Sequence, residues 1–148
     1  MRCLSHAYPK AGKEQVYMAP KMQGIVAAWI DVEDHHFSPP ASKLIAELVE
    51  KPRRGLPANQ EVVSEAAAKL AAVLDVYEER LTESEFLGGD KFTSADLTHL
   101  PNLYYLMATP VCMKLFETRP HVYRWCNAML SRPAWAKVVD MLVNKCNA

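Results

Sequence analysis

One short segment of the chain carries the residue types of a carboxylate and histidine metal site. Glu33, Asp34, His35 and His36 contain a single Glu-x-x-His motif. A di-iron helix bundle needs two such motifs together with two further carboxylates. The sequence contains no second Glu-x-x-His. We therefore interpret these residues as polar groups near a helix end, and we predict no metal site.

Single reactive side chains elsewhere give no stronger signal. His99 lies in an apolar segment, and we interpret it as a core histidine whose hydrogen bonds are satisfied. Cys112 follows the start of a short predicted helix, a position that can lower a thiol pKa, but we expect a buried or idle thiol. Gly88 and Gly89 lack the Gly-Lys-Ser/Thr of a phosphate-binding loop, and no serine lies in Gly-x-Ser-x-Gly. These residues predict no catalytic group.

The charge balance excludes several classes of partner. Lysine and arginine together number 17, and aspartate and glutamate also number 17. No overall field therefore attracts nucleic acid or an acidic membrane. The densest basic run, Lys51-Pro52-Arg53-Arg54, is short and contains proline, so we interpret it as a solvated loop. No apolar stretch approaches the ~20 residues of a membrane-spanning helix. We predict no nucleic-acid partner and no membrane partner.

The four cysteines indicate a reducing compartment. They lie at positions 3, 112, 126 and 146, and they form neither a Cys-x-x-Cys pair nor a zinc-ligand spacing. Residues 1–13 lack the apolar core of a secretory signal. We expect reduced thiols and a cytoplasmic location.

Any binding site must be positioned by helices, because apolar residues recur at helical spacing over most of the 148 residues. A first apolar stripe comprises Met22, Ile25, Val26, Trp29 and Ile30. Ser38-Pro39-Pro40 is expected to interrupt this helix and to start a new one. The helical pattern resumes over residues 41–51, and residues 51–60 are predicted to form a loop because they are rich in Pro, Gly and Asn.

A second long helix and a central apolar helix follow. The long helix has one apolar face, made by Val63, Ala66, Leu70, Val73, Leu74, Tyr77 and Leu81. Thr93 and Asp96 are predicted to form a capping box, with Phe92 and Leu97 as the hydrophobic staple. Residues 97–107 are apolar on nearly all sides, so this helix is predicted to be buried, with a kink at Pro101.

Three proline-initiated helices complete the chain. Thr109-Pro110, Arg119-Pro120 and Arg132-Pro133 each place proline where a first helical turn tolerates it. The inward residues are predicted to be Val122, Trp125, Cys126 and Met129, and then Trp135, Val138, Val139 and Leu142. No alternating strand pattern of useful length occurs. The predicted fold class is all-α.

Three strings of residues, taken in order, resemble the phi class of plant glutathione transferases. Residues 29–39 read W-I-D-V-E-D-H-H-F-S-P, where the family has W-x-E-V-E-x-H-x-F-x-P. Residues 69–81 read K-L-A-A-V-L-D-V-Y-E-E-R-L and lead through F-L-G-G-D at 86–90 into the capping box. Residues 99–106 read H-L-P-N-L-Y-Y-L and precede the three proline pairs. The resemblance extends from about residue 15 to residue 142.

This resemblance implies an all-α, glutathione transferase C-terminal-like helical bundle over residues 14–148. Residues 1–13 resemble the end of the last helix of a thioredoxin-like domain, followed by the interdomain linker. In the family, that domain carries the catalytic serine and the glutathione site, so we expect this chain to lack both and to hold no catalytic residue.

What the resemblance leaves on this chain is one wall of the electrophile pocket. In phi enzymes two residues one turn apart, often aromatic, come from the helix after the proline, and they correspond to Ala46 and Glu50. A third comes from the apolar helix, at Tyr105, for which a core position is an equal alternative. The alanine widens the pocket, and the carboxylate makes it less suited to flat apolar electrophiles.

The functional expectation follows from family membership. The family conjugates glutathione, as a co-substrate and without a bound cofactor, to hydrophobic electrophiles. We expect a homodimer that binds hydrophobic small molecules, and we predict that the chain alone is inactive, which leaves its status as an enzyme open. The alternative is a non-catalytic helical module for ligand binding or dimerisation. The phi-type strings argue against the transferase-like domain of an elongation-factor subunit.

Overall fold

A long helical stretch opens the fold. The structure, a computed structural model, describes the backbone of residues 17–146 and the side chains of residues 17–143. The predicted remnant and linker at 1–13 lie outside the described residues. Helix α1 spans Pro20–Val32, α2 spans Ser38–Ile45 and α3 spans Lys51–Arg53. Two π-helical turns, the first π segment (Glu33–Phe37) and the second π segment (Ala46–Glu50), join them.

The two π segments correct the prediction that Ser38-Pro39-Pro40 interrupts the helix. All residues that flank the junctions keep right-handed helical dihedral angles. The Ser38 amide donates to the carbonyl of Glu33, and the Lys51 amide donates to that of Ala46, five residues back in each case. A proline follows immediately both times. Proline has no N–H, and its ring would clash with a carbonyl of a regular α-helix, but the wider π turn accommodates it. The helix therefore continues to Arg53, and the predicted loop at 51–60 is shortened to residues 54–59.

Helix α4 (Gln60–Glu83) is the longest regular helix in the described part of the chain. Its N-cap is Asn59, whose side-chain oxygen accepts the amides of Glu61 at 3.0 Å and Val62 at 3.3 Å. The predicted apolar face is confirmed. Its buried members are Val63, Ala66, Leu70, Leu74, Tyr77 and Leu81, and Val73 is half-buried.

The predicted capping box is present and opens a short helix, α5 (Ser94–Leu97). Asp96 Oδ2 accepts the Thr93 amide at 2.9 Å and the Thr93 hydroxyl at 3.1 Å. Helix α6 (Leu100–Met107) then begins with Pro101 in its first turn. The predicted kink at Pro101 is therefore a break in the helix at Thr98 and His99. A new helix begins after this break, and Pro101 lies in its first turn, where proline is tolerated.

Three more helices follow, and each begins at a proline as predicted. They are α7 (Pro110–Glu117), α8 (Pro120–Leu130) and α9 (Pro133–Cys146). The residues of α8 that are predicted to face the core, Val122, Trp125, Cys126 and Met129, are all buried. On α9 the prediction was wrong for two residues, because Val138 and Leu142 are 40% and 43% exposed.

The core lies between α2, α4, α6 and α8, and the predicted all-α class is confirmed. In residues 17–146 the only extended pairing is an isolated bridge between Phe86 and Gly89. None of the helices described is both long enough and apolar enough to cross a bilayer.

Candidate functional site

An open groove lies where the second π segment and α3 face the C-terminal half of α6. It has a volume of about 460 Å³. We call it the Tyr105 groove, and its lining residues are Leu48, Val49, Pro52, Arg53, Tyr104, Tyr105, Ala108, Thr109 and Pro110. Most of these side chains are apolar or aromatic, which is the usual lining of a small-molecule site.

Tyr105 is held in this groove by its neighbours. Its ring meets that of Tyr104 edge to face, with 5.3 Å between the centroids. Tyr104 in turn meets Trp135 of α9 at 6.1 Å. The Thr109 hydroxyl donates to the Tyr105 carbonyl at 2.8 Å and so ties the end of α6 to the start of α7. These contacts leave Tyr105 half-buried, with one part of the ring against the groove.

The structure places the other two predicted pocket residues beside the groove. Ala46 is half-buried and Glu50 is exposed, and neither is among the residues that line the Tyr105 groove. They are the first and last residues of the second π segment. The assignment of Ala46, Glu50 and Tyr105 to one pocket therefore stays a prediction, with Tyr105 inside this groove and the other two on its flank.

Glu47 stabilises the segment that carries these positions. It is buried, and its carboxylate accepts Lys51 Nζ and the Asn59 amide, each at 2.7 Å. The hydrogen bond from Lys51 is the larger cause of the lowered pKa of Glu47, followed by that from Asn59. One carboxylate thus joins the second π segment to the N-cap of α4.

The residues with a potential for acid–base chemistry lie deep in the core instead. His99 is fully buried between Phe37, Tyr77 and Trp125. Burial lowers its pKa to about 3, so the ring is neutral at physiological pH. The expected satisfied core histidine is confirmed, since both ring nitrogens have partners.

Two of the cysteines are thiols buried in the core, where desolvation disfavours the thiolate. Cys112 and Cys126 are buried and free. Burial raises the pKa of Cys112 to about 11 and that of Cys126 well above its usual value. Of the expected buried or idle thiol at Cys112, the burial is confirmed, and it raises the thiol pKa rather than lowering it.

The Glu-x-x-His segment forms the first π segment. Glu33 is buried, whereas His36 is exposed, so the two side chains do not share an environment. Burial, assisted by the nearby charge of Asp34, raises the pKa of Glu33 to about 7. Within residues 17–143, no three His, Cys, Asp or Glu side chains are grouped so as to hold a metal ion.

Arg53 is the groove residue that sequence reasoning missed. The prediction of a solvated loop is wrong for Arg53, which ends α3 with its guanidinium carbon 5.8 Å from the centroid of the Tyr105 ring. A signal was available in the spacing. Arg53 lies four residues after Val49, on one helical face, provided that the helix is extended through Pro52.

Comparison with known proteins identifies the family of this fold and groove. Residues 36–133 match the family model described as "Glutathione S-transferase, C-terminal domain". A glutathione S-transferase of Hyoscyamus muticus is 46% identical over 93% of this chain and 64% of its own length. Glutathione S-transferase APIC of Nicotiana tabacum is 45% identical over 94% of this chain and 65% of its own length. The chain thus spans a little under two thirds of the relatives that it matches.

The solved structures agree with this result. Glutathione transferase F2 from Populus trichocarpa superimposes with a TM-score of 0.87 at 37% identity, over 95% of this chain and 66% of that chain. Glutathione transferase F7 from the same organism gives a TM-score of 0.82 at 33% identity, over 94% of this chain and 67% of that one.

Proposed function

Since this chain belongs to the glutathione S-transferase family through its C-terminal helical domain, we propose that the Tyr105 groove is one wall of a pocket for hydrophobic electrophiles to which glutathione is conjugated. The observation that carries the proposal is the groove itself, which is open and lined mainly by apolar side chains, with the half-buried Tyr105 among them. Glutathione would be the co-substrate of this reaction, and no bound cofactor is proposed.

The chain alone is proposed to be inactive. Conjugation requires donors that stabilise the glutathione thiolate and charged partners for the two carboxylates and the amine of the tripeptide. Around the groove, the described residues offer the hydroxyls of Tyr104, Tyr105 and Thr109, the Arg53 guanidinium and, on the flank, the Glu50 carboxylate. A carboxylate repels a thiolate, and one guanidinium does not provide partners for all the charged groups of glutathione.

Homodimerisation and a cytoplasmic location are part of the same proposal. The buried free thiols Cys112 and Cys126 are compatible with a reducing compartment. One observation favours the second candidate, a non-catalytic ligand-binding or dimerisation module. Helix α9 exposes Val138, Met141, Leu142 and Val143 along its length, and such apolar surface is typical of an association site.

Two measurements on the full chain test the proposal. The neutral fluorescent probe N-phenyl-1-naphthylamine should bind, and Tyr105→Ala should weaken its binding several-fold. Tyr123→Ala is the matched control, because Tyr123 is also half-buried but lies on α8 outside the groove. Equal effects of the two substitutions would show that the probe binds elsewhere, which would count against the pocket.

The second measurement separates the pocket from catalysis. Calorimetric titration with glutathione and a conjugation assay on an aryl halide should give no binding and no rate above the uncatalysed one. Millimolar or tighter glutathione binding, or turnover proportional to protein concentration, would contradict the proposed inactivity while leaving the pocket intact.

A further inference from the structure

The Tyr105 groove carries a positive charge at its rim. Arg53 lines the groove and holds its guanidinium carbon 5.8 Å from the Tyr105 ring centroid, within the range of a cation–π contact. Among the described side chains, none forms an ion pair with Arg53. By contrast, Lys51 and Arg119 are paired with Glu47 and Asp75.

The walls beneath this charge are largely apolar, and one of them carries two aromatic rings. Leu48, Val49 and Pro52 form one side, and Tyr104 and Tyr105 form the other. A cation at the rim of an apolar slot favours a ligand with a matching anion at one end. The planar guanidinium suits a carboxylate in particular, because it can donate two parallel hydrogen bonds to the two oxygens.

Two further features affect the same region. The Thr109–Pro110 start of α7 also lines the groove, and the N-terminal end of a helix adds a small positive potential. Glu50 acts in the opposite sense from one turn before Arg53, but its exposed side chain does not line the groove. The charge that a bound ligand meets at the rim is therefore that of Arg53.

We propose that the Tyr105 groove, with Arg53 at its rim, selects ligands that join a planar apolar body to a carboxylate. This inference deepens the proposed function by naming the ligand class of the same groove. The inference rests on the proposed function in one respect, which is that the Tyr105 groove is the binding site.

The test compares two probes of nearly equal size and shape, 2-naphthoate and its neutral counterpart 2-naphthamide, titrated calorimetrically into the full chain. The carboxylate should bind roughly three- to tenfold more tightly, as expected for a partly exposed charge-assisted pair. Arg53→Gln should abolish this preference, and Arg53→Lys should retain only part of it. Glu50→Gln should increase the preference.

Arg54→Gln and Arg132→Gln are the matched controls. Arg54 is the exposed neighbour that does not line the groove, and Arg132 lies over Phe92 in a separate, smaller cleft. Both variants should keep the preference. Because Arg53 is exposed, its substitution should leave the thermal unfolding midpoint unchanged, which checks that the fold is intact.

The alternative outcomes overturn different statements. Equal affinity for both probes, with Tyr105→Ala weakening both, would overturn the selection for carboxylates but leave the hydrophobic pocket. A preference that persists in Arg53→Gln or disappears in Arg132→Gln would overturn the role of Arg53. Binding of neither probe would overturn this inference and the proposed pocket together.

Discussion

The hydroxyl oxygen of Tyr77 lies 2.8 Å from Nε2 of His99 in the centre of the core. The other ring nitrogen, Nδ1, lies 2.7 Å from the carbonyl oxygen of Ala95. A carbonyl only accepts, so Nδ1 carries the hydrogen and Nε2 accepts from the tyrosine hydroxyl. The pair joins α4 to the break between α5 and α6 through one tautomer of a neutral histidine.

Tyr77→Phe should therefore destabilise the fold. The substitution keeps the ring but leaves Nε2 of His99 buried without a donor, a cost of about 1–3 kcal/mol in the free energy of unfolding. Tyr104→Phe makes the same chemical change at a half-buried position that has no hydrogen bond to another described residue. It should cost less than ~0.5 kcal/mol. Urea denaturation at pH 7 measures both, and equal values would contradict the assignment of the hydrogen bond.

Asp96, the aspartate of the capping box, should contribute more to the free energy of unfolding than a helix cap alone does. A cap alone predicts a loss of about 0.5–2 kcal/mol for Asp96→Ala. The fully buried carboxylate also accepts the Leu87 amide and Trp125 Nε1, each at 3.0 Å. Burial raises its pKa, and these hydrogen bonds oppose that shift.

We accordingly expect Asp96→Ala to cost about 3–5 kcal/mol, because it leaves several buried donors without an acceptor at about 1–3 kcal/mol each. Asp96→Asn keeps one acceptor oxygen and the side-chain volume, so it should cost clearly less. Thermal unfolding monitored by far-UV circular dichroism compares the two. A loss below ~1 kcal/mol for the alanine variant would show that Leu87 and Trp125 do not depend on this carboxylate.

This contrast shows what the sequence could and could not reveal. The order Thr93 to Asp96 is a local pattern, so the capping box was predictable. The approach of Trp125, 29 residues further along the chain, depends on how α8 packs against α5, and no local pattern contains that information. Arg53 is an intermediate case, because its spacing from Val49 is a local pattern but predicts a place in the groove only if the helix continues through the second π segment and Pro52.

Glu33 should give the stability a specific pH dependence. Its pKa is raised by burial to about 7 from an ordinary value of 4.5. The folded state therefore binds this proton more tightly than the unfolded chain does. Its contribution to stability is fully present below about pH 4.5 and is lost as the pH rises through 7.

His99 acts in the opposite direction over part of this range. Its pKa falls from 6.5 to about 3 in the folded state, so its contribution is fully present above pH 6.5 and is lost as the pH falls. The substitution Glu33→Gln removes the pH dependence that Glu33 causes and leaves that of His99 unchanged. The variant should gain stability relative to the parent between pH 5 and 7.5, by at most about 1.4 kcal/mol per pH unit. Parallel urea profiles at pH 5, 6, 7 and 8 would contradict the raised pKa.

Gly89 should not tolerate a side chain. Its φ angle is +145°, and a Cβ there would lie 2.5 Å from the Tyr17 hydroxyl oxygen and 3.0 Å from the Met22 side chain. Gly89→Ala should therefore cost about 1–3 kcal/mol. Gly24→Ala is the matched control, because it lies in α1 with no atom within 4 Å of the added methyl group. It should stabilise the fold by about 0.5–1 kcal/mol, and a loss in both variants would show that the turn is not the cause.

Association of the chain is the last expectation. Homodimerisation is part of the proposed function, and Val76 on α4 offers an apolar side chain that is 55% exposed. We expect a dimer or larger species at tens of micromolar by light scattering. Val76→Glu should dissociate it, whereas Val111→Glu, at a residue with the same 55% exposure on α7, should not. A monomeric parent chain would contradict the expectation directly.

The two π segments also determine how far sequence numbering corresponds to position around the Pro20–Arg53 helix. A π turn holds one residue more than the α turn that it replaces, so each segment is equivalent to a one-residue insertion that the helix has absorbed without forming a loop. Each absorbed residue rotates everything after it by about 100°. On a uniform α-helical wheel Val26 and Leu44, both buried and 18 residues apart, would point in the same direction, whereas the first π segment between them turns their true directions apart. A helical wheel drawn through residues 20–53 as one uniform α-helix would therefore misorient the residues that follow each π segment by about 100° relative to those that precede it.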